Sequence, residues 1–238
     1  MPVPARLSGP SVILPRPGPR PARPQARLIY LHGFASSAGS SKARYFSERL
    51  GALGLTLGCP DFNEPDFATL TITRMLNQLG AELKAATGPA VLMGSSLGGT
   101  LAILAAERFP EGVDRLVLLA PAVMFAKPGH HLLPPERIDE WRRRGSLPFF
   151  HYASNEERWL NYAFYEDSLQ HHAFDAAVHQ PTLIFQGLHD ASVEYRTVEA
   201  FARTRPNVTL SLLDDDHQLI ASLPRIWDGV APFLGLVE

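Results

Sequence analysis

The chain has 238 residues, of which 45% are hydrophobic and 19% charged, with a formal net charge of -2 at pH 7. That balance suits a globular protein with a large core and offers no electrostatic case for nucleic acid as a partner. A single cysteine, Cys59, rules out an internal disulfide framework, the longest apolar run near the N-terminus (residues 12–14) is too short for a signal-peptide core, and no stretch approaches a membrane span, so the cytoplasm is the expected compartment.

Residues 1–25 are crowded with proline, from Pro2 and Pro4 to Pro21 and Pro24. Proline has no amide hydrogen to give to a helix or a central strand, so this segment reads as an extended linker or strap, with an edge hairpin turning at Gly9 and Pro10. Residues 26–238 read as one domain. A short apolar run, residues 27–31, predicts a strand ending in His32-Gly33-Phe34. The small polar loop 35–41 follows, then a helix pattern over 42–50 and a second strand over 55–59. Phe67, Leu70, Met75, Leu76, Leu79 and Leu83 recur at helical spacing. Residues 89–93 predict the next strand, 97–109 a helix, and 113–120 a strand closed by Pro121. Strands alternating with helices imply a mostly parallel sheet with helices on both faces, an α/β fold.

The alternation stops over residues 123–180, which are aromatic, charged and rich in histidine. Helix patterns over 135–144 and 155–171 suggest a helical cap inserted over the sheet edge. Most of its aromatic side chains are expected to pack the cap onto the sheet. The α/β rhythm then resumes with a strand over 181–186, a helix over 193–203, a strand over 208–213 and a last helix from Ser222.

Between the strand at 89–93 and the following helix lies Gly94-Ser95-Ser96-Leu97-Gly98. A G-x-S-x-G sequence in a strand, turn and helix context is a nucleophile elbow, which lifts a serine hydroxyl to the top of a sheet. The register selects Ser96. Around Ser95 the pattern would demand glycine where Met93 and Leu97 stand. A serine hydroxyl is a poor nucleophile at neutral pH, so it needs a base, and the base needs an orienting acid. Functional groups of parallel sheets gather at the carboxyl ends of strands. Asp190 follows the strand at 181–186 and His217 follows the strand at 208–213, in the order serine, acid, histidine. Among rival histidines, His32 lies in a loop with another use, His189 adjoins Asp190, and His130, His131, His151, His171, His172 and His179 belong to the insertion. Asp214, Asp215 and Asp216 read as a solvated turn. The amides of Leu97, at a helix N-terminus, and of Phe34, after Gly33, are the expected oxyanion donors. The sequence has no metal-binding spacing, P-loop or dinucleotide fingerprint, so no cofactor and no metal is expected.

With these residues in place the chain resembles the α/β-hydrolase superfamily from about Ala26 onward. Leu31-His32-Gly33-Phe34 with Ser36, Ser37, Ser40, Lys42 and Ala43, together with Gly94 to Gly99, is similar more narrowly to small bacterial YqiA-type esterases. The resemblance implies serine-dependent hydrolysis of a small-molecule ester or thioester without a cofactor. It carries the catalytic triad onto Ser96, Asp190 and His217, and the oxyanion donors onto Phe34 and Leu97. Peptide or carbon-carbon bond cleavage, and a catalytically silent binding protein, are the alternatives, because a fold does not choose among them.

Overall fold

The computed structural model describes residues 27–85, 87–127, 129–130 and 132–236; the proline-rich segment and its expected hairpin lie outside them. Along the chain run β1 (Arg27–Leu31), α1 (Ser41–Gly51), β2 (Leu57–Gly58), α2 (Ile72–Lys84), β3 (Ala90–Ser95), α3 (Leu97–Arg108), β4 (Val113–Leu119), α4 (Pro135–Arg144), β5 (Ser146–His151), β6 (Glu156–Asn161), α5 (Ala163–Ser168), β7 (Thr182–Gly187), α6 (Tyr195–Arg203), β8 (Val208–Leu213) and α7 (Leu223–Phe233).

Among the described residues six strands form a parallel sheet in the order β2-β1-β3-β4-β7-β8. From β1, inside the sheet, the path steps outward to β2, then crosses back over β1 to β3 and proceeds to the other edge. The direction of winding therefore reverses between β1 and β3, and a crevice opens there beyond the strand ends. Both strands end in residues that the sequence singles out: β1 runs into His32 and Phe34, and β3 into Ser96.

Side chains alternate between the two faces, as the pleat requires. Tyr30, Met93, Val117, Leu119 and Phe185 pack against Phe46 and Leu50 of α1 and Ile226 and Val230 of α7. Leu31, Leu92, Leu118 and Ile184 pack against α2, α3 and α6. Burial on both faces is why the strands read as continuous apolar runs; every residue of β3 and of β7 is buried. The helix starts are fixed locally. Ser40 accepts a hydrogen bond from the Ala43 amide at the start of α1, and Thr71 does the same for Arg74 at the start of α2.

The insertion corrects one expectation. No helix spans 155–171; β5 and β6 pair as an antiparallel hairpin, with Leu147 opposite Leu160, and only the short α5 follows. Gly145 ends α4 with φ 76° and Asn155 turns the hairpin with φ 54°, two left-handed positions that interrupt any helix through this stretch. The cap thus consists of α4, the hairpin and α5. Its aromatic side chains serve mainly as packing. Trp141 is fully buried, donates Nε1–H to the Leu160 carbonyl at 2.8 Å, and sits against Phe149, Tyr162, Phe164 and Tyr165. Phe150, Tyr152 and Trp159 are the exposed exceptions.

Candidate active site

Ser96 is the single residue between the end of β3 and the first turn of α3, with φ 54° and ψ -116°. A non-glycine residue in that region is strained and persists only where the surroundings over-determine it. They do so here. The Ser96 amide donates to the Leu119 carbonyl at 3.0 Å, and the Ser96 carbonyl accepts from the Ala122 amide at 3.2 Å and the Gly99 amide at 2.9 Å. The flanking glycines are required by crowding. A methyl group on Gly98 would stand 1.9 Å from the Leu31 carbonyl oxygen, and one on Gly94 would stand 2.3 Å from that of Gly98.

The loop after β7 and the loop after β8 bring Asp190 to His217: the imidazole Nδ1 lies 2.7 Å from Asp190 Oδ2. With the carboxylate accepting, Nδ1 is the donor of this pair, so in the neutral imidazole Nε2 is the acceptor nitrogen. His217 is the histidine paired with this buried acid. His32 Nδ1 donates to the Gly33 carbonyl while Nε2 accepts from the Phe62 amide, so it braces the loop after β1. His189 pairs with exposed Asp214, His151 lies in the cap hairpin beside Ser154, and His171 contacts Thr73 and Asp167 in the cap region. His131 lies outside the described residues.

The Asp190 carboxylate is fully satisfied. Oδ1 accepts from the Ser192 and Val193 amides, both at 2.8 Å, and Oδ2 from His217 and from Gln186 Nε2 at 2.9 Å. Burial pushes its pKa up, but the hydrogen bonds from His217, the Val193 amide and Gln186 outweigh it and hold the carboxyl below its ordinary 3.8. Gln186 was not among the sequence candidates. It is fully buried near the end of an otherwise apolar strand, and that lone amide among Thr182, Leu183, Ile184 and Phe185 was the available signal.

The turn before His217 is hydrogen-bonded as well as solvated. Asp215 Oδ2 accepts from the Ser222 amide and Asp216 Oδ1 from the Gln218 amide, each at 2.8 Å, and the Asp215 carbonyl accepts from the His189 amide at 3.0 Å. Asp214 and Asp216 are exposed, as expected of a solvated turn, and Asp215 is half-buried. The turn is a hydrogen-bonded bracket that presents His217 above Gly187, where a methyl group would meet the Asp215 and Asp216 carbonyls at 2.5 Å.

Ser96, His217, Phe34 and the cap residues Met124, Phe125 and Leu132 line one cleft of about 1060 Å³. Gly33 brings the loop after β1 against Ser96, since a methyl group there would stand 3.4 Å from Ser96 Cβ. Neither the Phe34 amide nor the Leu97 amide donates a hydrogen bond among the described residues. The Phe34 ring is clamped by Phe67, Phe149 and Phe164, and the Ala35 carbonyl accepts from the Tyr152 amide at 2.8 Å, which ties this loop to the cap hairpin. Ser96 Oγ and His217 Nε2 make no hydrogen bond among the described residues; such contacts commonly tighten only when substrate is bound. Among those residues no group of three or more histidine, cysteine or carboxylate side chains is arranged to hold a metal ion, and no helix is long and apolar enough to cross a membrane.

A family model described as Uncharacterised protein family (UPF0227) matches residues 27–231. The mitochondrial palmitoyl-protein thioesterase ABHD10 of Mus musculus is 28% identical over 208 residues, covering 81% of this chain and 69% of that protein. The biotin biosynthesis bifunctional protein BioHC of Teredinibacter turnerae is 35% identical over 119 residues, which is 45% of this chain but only 20% of that protein's length. Est1E of Butyrivibrio proteoclasticus, solved with ferulic acid, superposes with a TM-score of 0.76 at 22% identity over 90% of this chain and 89% of the other. The six-stranded parallel sheet is that of the α/β-hydrolases, and the match over residues 27–231 places the chain in the uncharacterised protein family UPF0227.

Proposed function

We propose that this α/β-hydrolase is a serine hydrolase of carboxylic esters or thioesters, with Ser96, His217 and Asp190 as its catalytic triad and residues 26–238, cap included, as one working domain. The observation that carries the reading is the 2.7 Å contact between His217 Nδ1 and a buried, fully hydrogen-bonded Asp190, in the cleft where Ser96 is held at φ 54°. The names of ABHD10, a thioesterase, and of the ferulic acid complex of Est1E agree with this chemistry.

In the proposed reaction Ser96 Oγ attacks the acyl carbonyl as His217 Nε2 takes its proton. The carbonyl oxygen becomes an oxyanion received by the Phe34 and Leu97 amides, the latter at the positive end of α3. As the tetrahedral carbon collapses, the bond to the leaving oxygen or sulfur breaks, and His217 passes its proton to that atom. Water then attacks the acyl-enzyme, giving its proton to His217, and the acid departs as the proton returns to Ser96. Asp190 holds the imidazole in the required tautomer and stabilises its cation.

The test is a panel of 4-nitrophenyl esters of increasing acyl length, set beside thioesters and peptide amides. Ester and thioester turnover that exceeds amide turnover by at least about a hundredfold is expected. Amide cleavage as the dominant activity would replace this reading with the peptidase alternative, and no turnover of any member would contradict it.

A further inference from the structure

Beside Ser96 and His217 the cleft lining is of two kinds. Met124, Phe125 and Leu132 supply an apolar part, whereas the loop after β1 and the first turn of α1 supply several serines with Lys42 and Arg44. No aspartate or glutamate contributes to the lining. Lys42 is only 7% exposed, and its ammonium donates to the Gln218 carbonyl at 2.9 Å, 176 positions along the chain. An ammonium has three N–H groups, and this is the one hydrogen bond Lys42 Nζ makes among the described residues. Arg44 is exposed and has no ion pair or side-chain hydrogen bond there.

Burying a cation is costly unless it finds a partner of opposite charge. The charged groups around Lys42 are Asp190, Asp215 and Asp216 on the loops after β7 and β8, with His217 beside Gln218 and Arg44 on its own helix. The direct partner in the structure is a neutral carbonyl. Burial pulls the Lys42 pKa down to about 8, against the opposing pull of the three aspartates, so the ammonium is charged at neutral pH with donors to spare.

The direction of the reaction says which part of a substrate lies there. The leaving atom must take its proton from His217, so the leaving group lies on the histidine side of the cleft. Lys42 is anchored to the residue that follows His217. We propose that Lys42, assisted by Arg44, forms a subsite for a negatively charged group, carboxylate or phosphate, on the leaving alcohol or thiol, while the acyl chain lies against Met124, Phe125 and Leu132. This rests on the serine hydrolase reading above and adds a substrate class to it.

Two matched substrate pairs test the subsite. One is 4-nitrophenyl butyrate against 3-carboxy-4-nitrophenyl butyrate; the other is the butyryl thioester of 2-mercaptoethanol against that of its O-phosphate, and the two pairs separate a carboxylate site from a phosphate site. The readout is the ratio of kcat/KM for the charged member to that for the neutral member, at pH 7 and low salt. Lys42→Met is expected to lower this ratio about tenfold in at least one pair, and Lys42→Arg to keep it within about threefold of wild type. In the unmodified protein the same ratio should fall as pH rises through about 8, where the ammonium loses its proton, and with added salt. Arg44→Ala, at an exposed position, should lower it by about threefold, which keeps the proposal testable if Lys42→Met does not fold. An unchanged ratio in Lys42→Met with both members still hydrolysed, or a uniform loss on both, overturns the subsite and leaves Lys42 as a brace for the histidine loop. Absence of turnover of every ester by folded wild-type protein overturns the hydrolase reading itself, and the subsite with it.

Discussion

Ser96→Ala is expected to lower ester turnover by about a millionfold while leaving the fold intact. The magnitude follows from the triad acting as a unit, so that loss of the nucleophile forfeits nearly all that the base and acid contribute. The fold should survive because alanine keeps the Cβ and loses only Oγ, which makes no hydrogen bond among the described residues. The strain at φ 54° is held by backbone bonds, one to the Leu119 carbonyl and others from the Ala122 and Gly99 amides, none of which involves the hydroxyl. Thermal melting should therefore match wild type within about two degrees, as expected for a change that removes no packed atom. A melting point far below wild type would mean that the hydroxyl has a structural role, and turnover near the wild-type rate would remove Ser96 from the mechanism.

The second large effect is at Asp190. Asp190→Asn replaces an acceptor with an amide that can present N–H to His217 Nδ1, which favours the tautomer with its proton on the wrong nitrogen. A loss of about ten-thousandfold in kcat is expected, with KM little changed. The two hydrogen bonds to the other oxygen, from the Ser192 and Val193 amides, remain and should keep the side chain in position, while the bond from Gln186 is lost with the acceptor it shared with His217. The same substitution should alter the acid limb of stability. A carboxyl whose folded pKa lies below its ordinary 3.8 contributes stability that is complete above that value and is lost as pH falls through the folded value. Denaturant titrations at descending pH should show Asp190→Asn losing less stability below pH 3.8 than wild type does.

The main sheet was legible because its inner strands, β3 and β7 above all, are buried on both faces and alternate with helices. The apolar runs before Ser96, Asp190 and His217 mark strand ends, and in a parallel sheet strand ends converge. That rule pairs Asp190 with His217, and Ser96 and His217, more than a hundred positions apart, line one cleft. The hairpin was not legible, because Glu156, Glu157, Trp159 and Asn161 do not alternate cleanly and Leu160 alone in β6 is buried. Of the expected helix over 155–171, the part that forms is α5 (Ala163–Ser168), and the stretch before it pairs as β6. Gln186 and Lys42 escaped for a different reason. Their roles depend on partners that the fold supplies: Asp190 and the Val193 carbonyl for the first, and the Gln218 carbonyl for the second. The acidic run at 214–216 is solvated at Asp214 and Asp216, as charged residues in sequence suggest, and what the sequence does not show is that Asp215 and Asp216 also accept hydrogen bonds from backbone amides.

The central claim is that Ser96 is a nucleophile activated by His217, and covalent labelling tests it most directly. Incubation of the folded protein with a fluorophosphonate, followed by intact-mass measurement and peptide mapping, should give one adduct per chain on Ser96, strongly slowed in Asp190→Asn. No adduct on the folded wild-type protein, or an adduct on Ser95 in place of Ser96, would contradict the account.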